Sequence, residues 1–372
     1  MDEKLRTFGA AVNSLMKGKH LSRAQAKELF RQVLLREQPD LQQGAFLAAI
    51  TAKGATPQEI AGSWEAIYEF DTIKVTPNVS SPLVDNCGTG MDALKTFNIS
   101  TAASIIAAAD GVVMARHGAR AITSRCGTID IIEALGVDVE CDVSVVKRSI
   151  ETAGIGVFNG MSSKVHPTAL GRILSQIRFG TILNVAGSMA NPALPRFGVR
   201  GVYSPSMIAP TLETMRELGY HRAIVFHGKN GPGTKGMDEM STLGPTTIME
   251  LDRKGSISSY FITPEMMGIR LAREEDLLTS GDRESEALRL LRILGGGGGR
   301  VEQDIVCLNA SPILYMMGRA DSLRNGVERA RSILENGRGL RKLQDWTRSQ
   351  SADPAIGASK LQGLIARAGI PA

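Results

Sequence analysis

The sequence predicts a large α/β domain preceded by a small all-helical domain. Three observations point there. Four amphipathic helical stretches fill residues 1–75, short apolar strand candidates alternate with helices from residue 83 onward, and a glycine-threonine-glycine turn stands between the first strand and the helix after it. The 372 residues can bury a sizeable core and suit one large domain plus a smaller one.

In the first stretch Leu5, Phe8, Val12 and Leu15 recur at helical spacing. Ser22 can cap a second helix whose apolar face carries Leu29, Phe30, Val33 and Leu34. Asp40 starts a third, with Phe46, Leu47 and Ile50, ended by Gly54. The fourth opens on Thr56-Pro57-Gln58-Glu59, a capping box with proline at the first helical position, before Ile60, Trp64 and Ile67. These apolar stripes read as core and interface. Pro77 to Pro82 makes an extended connector, so the expected division is 1–75 helical domain, 76–84 hinge, 85–372 α/β domain.

Leu83-Val84 reads as the end of a strand, followed by Gly88-Thr89-Gly90 and an alanine-rich helix from Ala102 to Ala109 closed by Gly111. Val112 to Ala115 reads as a buried strand leading into Arg116-His117-Gly118-Ala119-Arg120. Helices follow at Ile129 to Leu135 and Val143 to Thr152, then a strand at Ile155 to Phe158. Later strands are expected at Thr181 to Val185, Ala223 to Phe226 and Asp304 to Leu308. The five glycines from Gly295 to Gly299 read as a flexible loop.

Composition narrows the class. Hydrophobic residues at 43% and charged residues at 22% are ordinary for a soluble globular protein. No apolar run is long enough to span a membrane, and Met1-Asp2-Glu3-Lys4 does not open a signal peptide, so a cytoplasmic location is expected. Cys87, Cys126, Cys141 and Cys307 lie far apart without a Cys-x-x-Cys pair, which indicates neither a disulfide framework nor a zinc site and predicts reduced thiols. The formal charge of +5 comes from 43 basic against 38 acidic residues with no dense basic run, and aromatics are only 5%. A basic cleft for a polyanionic small substrate explains that excess at least as well as nucleic acid does.

Glycines let backbone N–H groups approach an anion, and a helix start carries partial positive charge, so the turn at Gly88 suggests a phosphate or pyrophosphate cradle. Asn98, Ser100 and Thr101 add side-chain donors there. The turn has neither a P-loop ending nor a dinucleotide fingerprint, and by itself could equally be a tight connection. His117 after a strand can be a hydrogen-bonded structural residue or line a pocket; His166 stands open between the same roles, and His227 is unassigned.

The string Gly88-Thr89-Gly90-Met91-Asp92, followed by Thr96-Phe97-Asn98-Ile99-Ser100-Thr101, resembles the phosphoribosyl diphosphate loop of the anthranilate phosphoribosyltransferases. Arg116-His117-Gly118-Ala119-Arg120 resembles that family's Lys-His-Gly-Asn-Arg element. Cys126-Gly127-Thr128-Ile129-Asp130, Glu133-Ala134-Leu135-Gly136, Asn191-Pro192-Ala193 and Gly236 to Ser241 match in the same order, through to a strand at Cys307-Leu308-Asn309-Ala310. The resemblance implies the class III phosphoribosyltransferase architecture, shared with nucleoside phosphorylases, and a homodimer joined through the helical domain. It implies phosphoribosyl diphosphate and Mg2+ in the cleft between the domains and an aromatic amine acceptor, anthranilate first, in tryptophan biosynthesis.

Carried over residue by residue, Gly88, Thr89, Gly90, Asp92, Thr96, Asn98, Ser100, Thr101, Arg116 and Thr128 would bind the donor. Asp238, Glu239 and the Ser100 hydroxyl would hold magnesium, whose preference is for few protein carboxylates and substrate oxygens; as an isolated pair the two acids would be surface charges. Gly88, His117, Ala119, Arg172, Gln176 and Arg178 fall on the acceptor side, and no residue is assigned as general acid or base.

Departures from the family pattern cluster. Ala119 stands for asparagine, and ten residues beyond His166 the family arginine is Gln176, with Arg172 or Arg178 as its possible replacement. On the donor side Met91 replaces glycine, Arg116 replaces lysine, and the segment from Lys229 to Lys235 is longer. Three further readings stay open: a paralogous transferase for another aromatic or heteroaromatic acceptor, a nucleoside phosphorylase, and a non-catalytic nucleic-acid or ligand-binding protein on the same scaffold.

Overall fold

The computed structural model describes residues 2–90, 94–120, 127–177, 179–280 and 282–370. Helices α1 (Asp2–Met16), α2 (Arg23–Leu34), α3 (Asp40–Lys53) and α4 (Pro57–Phe70) open the chain. Ser22 and Thr56 cap α2 and α4, with Gln25 and Glu59 returning to the cap backbone as the capping boxes require. The buried Glu59 carboxylate also accepts from Leu21 N at 2.8 Å and from Lys53 Nζ at 2.8 Å, so the start of α2 and the end of α3 meet at one charge.

Beyond the connector, β1 (Leu83–Cys87), α5 (Ile99–Ala109), β2 (Val113–Gly118), α6 (Thr128–Ala134), α7 (Val143–Ala153) and β3 (Ile155–Asn159) follow. Then come α8 (Leu170–Ile177), α9 (Ile182–Met189), β4 (Phe197–Gly201), α10 (Ile208–Glu217), β5 (Arg222–Lys229), β6 (Gly236–Met237), β7 (Thr246–Leu251) and β8 (Ile257–Ile262). Five helices finish the chain: α11 (Arg283–Leu294), α12 (Arg300–Met316), α13 (Leu323–Glu335), α14 (Arg338–Ser349) and α15 (Pro354–Ala368).

The strands form one mixed sheet in the order β3-β2-β1-β4-β5-β7-β8, with β6 paired to β5. Strands β1 to β5 run parallel and β6 to β8 antiparallel to them or to each other, giving the expected helical domain and α/β domain. On one face Ile105, Ile131, Leu291, Leu308 and Trp346 bury α5, α6, α11, α12 and α14. On the other, Phe8, Phe30, Phe46 and Trp64 of the N-terminal helices share a core with Ile173, Leu183, Leu212 and Val225. Helices α8, α9 and α10 therefore pack with the helical layer although they come from the larger sequence segment.

Two expected strands are helices. Residues 181–185 start α9, with Thr181 as its cap and Asn184 closing the box. Residues 304–308, and with them Cys307 to Ala310, lie inside the 17-residue α12. Asp304 through Leu314 are all buried there, so α12 has no polar stripe along that stretch, and a five-residue sample of such a helix looks like a buried strand. The glycine run joins α11 to α12, with Gly296 and Gly298 at positive φ and Gly299 at the start of α12.

Asp71, at the end of α4, ties the helical domain to the site. Its carboxylate accepts from the backbone N–H of Thr168, Ala169 and Leu170 at 2.5, 3.0 and 2.7 Å, so it caps α8. Trp64 Nε1 donates to Met189 O at 2.8 Å at the end of α9. At the far edge of the sheet, Gln350 seals β3: its Oε1 accepts from Val157 N at 2.9 Å and its Nε2 donates to Val157 O at 3.0 Å. Among the described residues no helix is long and apolar enough to cross a membrane, and no disulfide is present.

Candidate active site

Parallel strands bring their C-terminal ends to one side, and in such sheets the crevice beyond those ends collects ligands. Here β1 ends in the Gly88-Thr89-Gly90 turn, β2 in Arg116-His117-Gly118, β4 in Arg200-Gly201, and β5 leads by its hairpin to Asp238-Glu239. A cavity of about 350 Å³ opens over the ends of β1 and β2, walled on its other side by α8 and α9.

One end of the cavity is the glycine turn. Gly88, Thr89, Gly90, Gly127 and Thr128 line it, with the backbone of Gly90 at φ +70°. The outer arm is clamped from two sides: Leu94 N donates to Gly236 O, Phe97 N to Leu277 O, and Thr96 bridges Leu278. Asn98 occupies the N-cap position of α5 without a side-chain cap bond. Met91, Asp92, Cys126 and Arg178 lie outside the described residues.

Arg116, near the end of β2, is buried and does not itself line the cavity. Its guanidinium donates to Thr101 Oγ1 at 3.1 Å, Asn86 O at 3.3 Å and Ser100 Oγ at 3.4 Å, and its Nε is buried without a partner. All three acceptors are neutral. Burial works against the guanidinium charge and lowers its pKa, opposed by the more distant Asp85, Cys87 and Glu239. A buried cation with only neutral contacts is a place for an anion.

Asp238 and Glu239 reach the turn and the start of α5. Asp238 Oδ2 accepts from Gly90 N at 2.6 Å and from Thr89 Oγ1 at 3.2 Å; Glu239 Oε1 accepts from Ser100 N at 3.2 Å. Their loop fits because Gly201 has no Cβ: one built there would fall 1.6 Å from Asp238 O. Asn309 of α12 fixes the next residue, accepting from Met240 N at 2.7 Å and donating to Met240 O at 2.9 Å. Beside the main cavity a void of about 10 Å³ is lined by Asn86, Ser100, Asp238, Glu239 and Asn309 among others. That is room for one water-sized particle, in a wall that the side chains of Asn86, Ser100, Asp238, Glu239 and Asn309 share with Cys87, Val199, Gly201 and Phe226.

Behind the turn, the buried Arg200 joins β4 to β1 and α9. It donates to Asp85 Oδ2 at 2.9 Å, to Cys87 Sγ at 2.5 Å and to Ser188 O at 3.2 Å. Burial pushes the Cys87 thiol up to about 11, so it stays a neutral acceptor for Arg200.

The other end of the cavity is apolar. Leu170, Leu174 and Leu183 line it with Gly160, Gly187, Asn184 and Ser188, beside His117 and Ala119. His117 Nε2 lies 3.1 Å from His166 Nε2, and His166 Nδ1 donates to Asp71 O at 2.6 Å. Burial pushes His117 down to about 3, helped by the neighbouring His166 and opposed by its contact with Ser188 O. It is a neutral wall residue. His166 stands behind it, and His227 is tied to Val202 O at 2.8 Å, away from the cavity.

Among the acceptor-side candidates, Arg172 is turned to α3, where Nη2 donates to Gln43 Oε1 at 3.2 Å and Nη1 lies 3.7 Å from Asp40. Gln176 is exposed on α8 and does not line the cavity. Sequence reasoning passed over Lys95 and Arg120, which both line the cavity, and Asn184 and Ser188 on α9. Arg120 is shared among Glu133 at 2.8 Å, Glu140 at 2.7 Å and Asp130 at 3.3 Å. For Arg120 its position in the Arg116 to Arg120 element was the only signal; Asn184 served only as a landmark for spacing, and Leu183 and Ser188 carried none.

Comparison with known proteins fits this geometry. Residues 80–340 match the glycosyl transferase family, a/b domain, and residues 10–70 its helical bundle domain. An anthranilate phosphoribosyltransferase of Methanothermobacter marburgensis is 34% identical over 348 residues, 91% of this chain and 97% of that protein. One from Anaeromyxobacter dehalogenans is 37% identical over 339 residues, 90% of this chain and 96% of that protein. The crystal structure of anthranilate phosphoribosyltransferase from Thermus thermophilus superposes with a TM-score of 0.80 at 32% identity, covering 91% of this chain and 99% of that one. The Saccharomyces cerevisiae enzyme in complex with PRPP and Mg shares the fold, with a TM-score of 0.80 at 22% identity over 93% of this chain and 98% of that one.

Proposed function

The chain belongs to the anthranilate phosphoribosyltransferase family and is a phosphoribosyltransferase, and we propose that it moves the 5-phosphoribosyl group from phosphoribosyl diphosphate to the amine of anthranilate. One observation carries the reading: Ser100, Asp238 and Glu239 meet at one small void, with Asp238 bonded to the glycine turn and Ser100 to the buried Arg116. The residues fit magnesium, and the ion when bound would neutralise charge on the departing diphosphate. The rest is the work of the chain. Backbone N–H groups of the turn, Ser100 and Arg116 bind the anionic end of the donor. The leucine wall, Ala119 and the neutral His117 seat the aromatic ring so that its nitrogen faces the ribose carbon. The carbon–nitrogen bond forms as the carbon–oxygen bond to diphosphate breaks, and the amine loses a proton to water. By the same reading two copies meet through the helical domain, where Leu41 is 89% and Met16 71% exposed.

A second reading concerns the acceptor alone. Arg172 is engaged with Gln43 and does not line the cavity, although Lys95 and Arg120 do, so an aromatic amine without a carboxylate is the reading to set against anthranilate. The test is pyrophosphate release from phosphoribosyl diphosphate with magnesium, offering anthranilate and uncharged aromatic amines separately. Turnover with anthranilate supports the first reading, turnover only with an uncharged ring supports the second, and no release with any acceptor overturns both. Light scattering, with Leu41→Glu as the variant expected to fall to a monomer, tests the dimer.

A further inference from the structure

The donors that suit a diphosphate are already in use. Gly90 N–H and the Thr89 hydroxyl both point to one carboxylate oxygen of Asp238, and Ser100 N–H, in the first turn of α5, points to Glu239. A carboxylate and a phosphate present the same chemistry to an N–H group, a compact anionic oxygen pair. Asp238 is buried and its backbone is pressed against Gly201, so it cannot drift far from the turn as a surface acid could.

We propose that Asp238 is an internal competitor for the diphosphate, occupying the donor hydrogens of the Gly88 to Gly90 turn until a cation draws its carboxylate away. The inference rests on the donor-site reading above and adds an order of events to it. The same side chain blocks the anion site and faces the void at Ser100 and Glu239. Cation binding and exposure of the turn are then one movement of one carboxylate. Magnesium would raise diphosphate affinity in two ways, by its own charge and by freeing Gly90 N–H and Thr89 Oγ1.

Binding of inorganic pyrophosphate to the full chain, measured by calorimetry at fixed salt with and without magnesium, separates this from simple repulsion. Asp238→Asn removes the charge and keeps an oxygen acceptor for Gly90 N–H, whereas Asp238→Ala removes both. Without magnesium, Asp238→Asn should bind about threefold more tightly than wild type and Asp238→Ala about tenfold or more, the size of a charge-assisted hydrogen bond. Both variants should lose most of the magnesium enhancement. Equal gains in the two variants would mean that charge alone is at work, and either that result or no gain in either would overturn the proposal. Wild type that binds no pyrophosphate even with magnesium would overturn the donor-site reading, and this inference with it. A measurement on wild type alone covers the case in which the variants do not fold. In [15N]glycine-labelled protein, magnesium by itself should move the Gly90 amide resonance upfield as its short bond is released, and a resonance left in place would refute the competition.

Discussion

Arg172 donates to the Gln43 side-chain oxygen at 3.2 Å, and this contact fastens the wall of the cavity to the helical domain. Its guanidinium therefore serves the packing of α8 against α3. Arg172→Ala should leave the KM for the acceptor within about twofold while costing roughly 1 kcal/mol of stability, on the order of 2 °C in melting temperature. Steady-state kinetics beside scanning calorimetry decides it, and a large rise in KM would return Arg172 to the acceptor site.

Arg116 has only neutral acceptors, so in the proposed donor site removing its charge would remove the counter-ion for the diphosphate. Arg116→Met should weaken pyrophosphate binding by about 100-fold or more. Arg116→Lys, which keeps the charge and loses the fork, should stay within about tenfold of wild type. Titration calorimetry with magnesium present distinguishes the two variants.

His117 is neutral in the fold, pushed down to about 3 by burial, while an unfolded histidine titrates near 6.5. Above that value neither state is protonated and its contribution is complete. As the pH falls from about 6.5 toward 3, the unfolded chain takes up the proton first and stability drops, by up to about 1.4 kcal/mol per pH unit. Chemical denaturation between pH 7.5 and 5 should therefore show a shallower decline in His117→Asn than in wild type.

Gln350 satisfies both backbone groups of Val157 at the edge of the sheet. Gln350→Ala leaves a buried N–H and C=O unpaired and should cost about 2 to 3 kcal/mol. The midpoint of urea unfolding should fall, with no change in pyrophosphate affinity because β3 lies two strands from the donor turn. Loss of affinity at unchanged stability would contradict a purely structural role.

What the sequence determined by itself is local. Capping boxes at Ser22 and Thr56 and the apolar spacing from Leu5 onward place α1 to α4, because helix starts and amphipathic stripes are written within a few residues. Strand, glycine turn and helix from Leu83 to Ala109 are legible for the same reason, and a string such as Thr96 to Thr101 is specific enough to carry a family resemblance. Periodicity failed at α12, where burial on all sides erased the polar face that would have marked a helix, and at α9, an eight-residue helix whose polar face is reduced to Asn184 and Ser188.

Only the tertiary structure decided which partners these residues take. Arg172 meets Gln43, Asp238 meets Gly90, Asn309 meets Met240 and Gln350 meets Val157 across separations of 129, 148, 69 and 193 residues. Such pairs leave no trace in local spacing, since hydrogen bonding depends on where the sheet and its helices bring two segments together. The chemistry available at the site was written in the residues near Gly88, Arg116 and Asp238; which of them face one another, and which arginine is already spoken for, was set by packing.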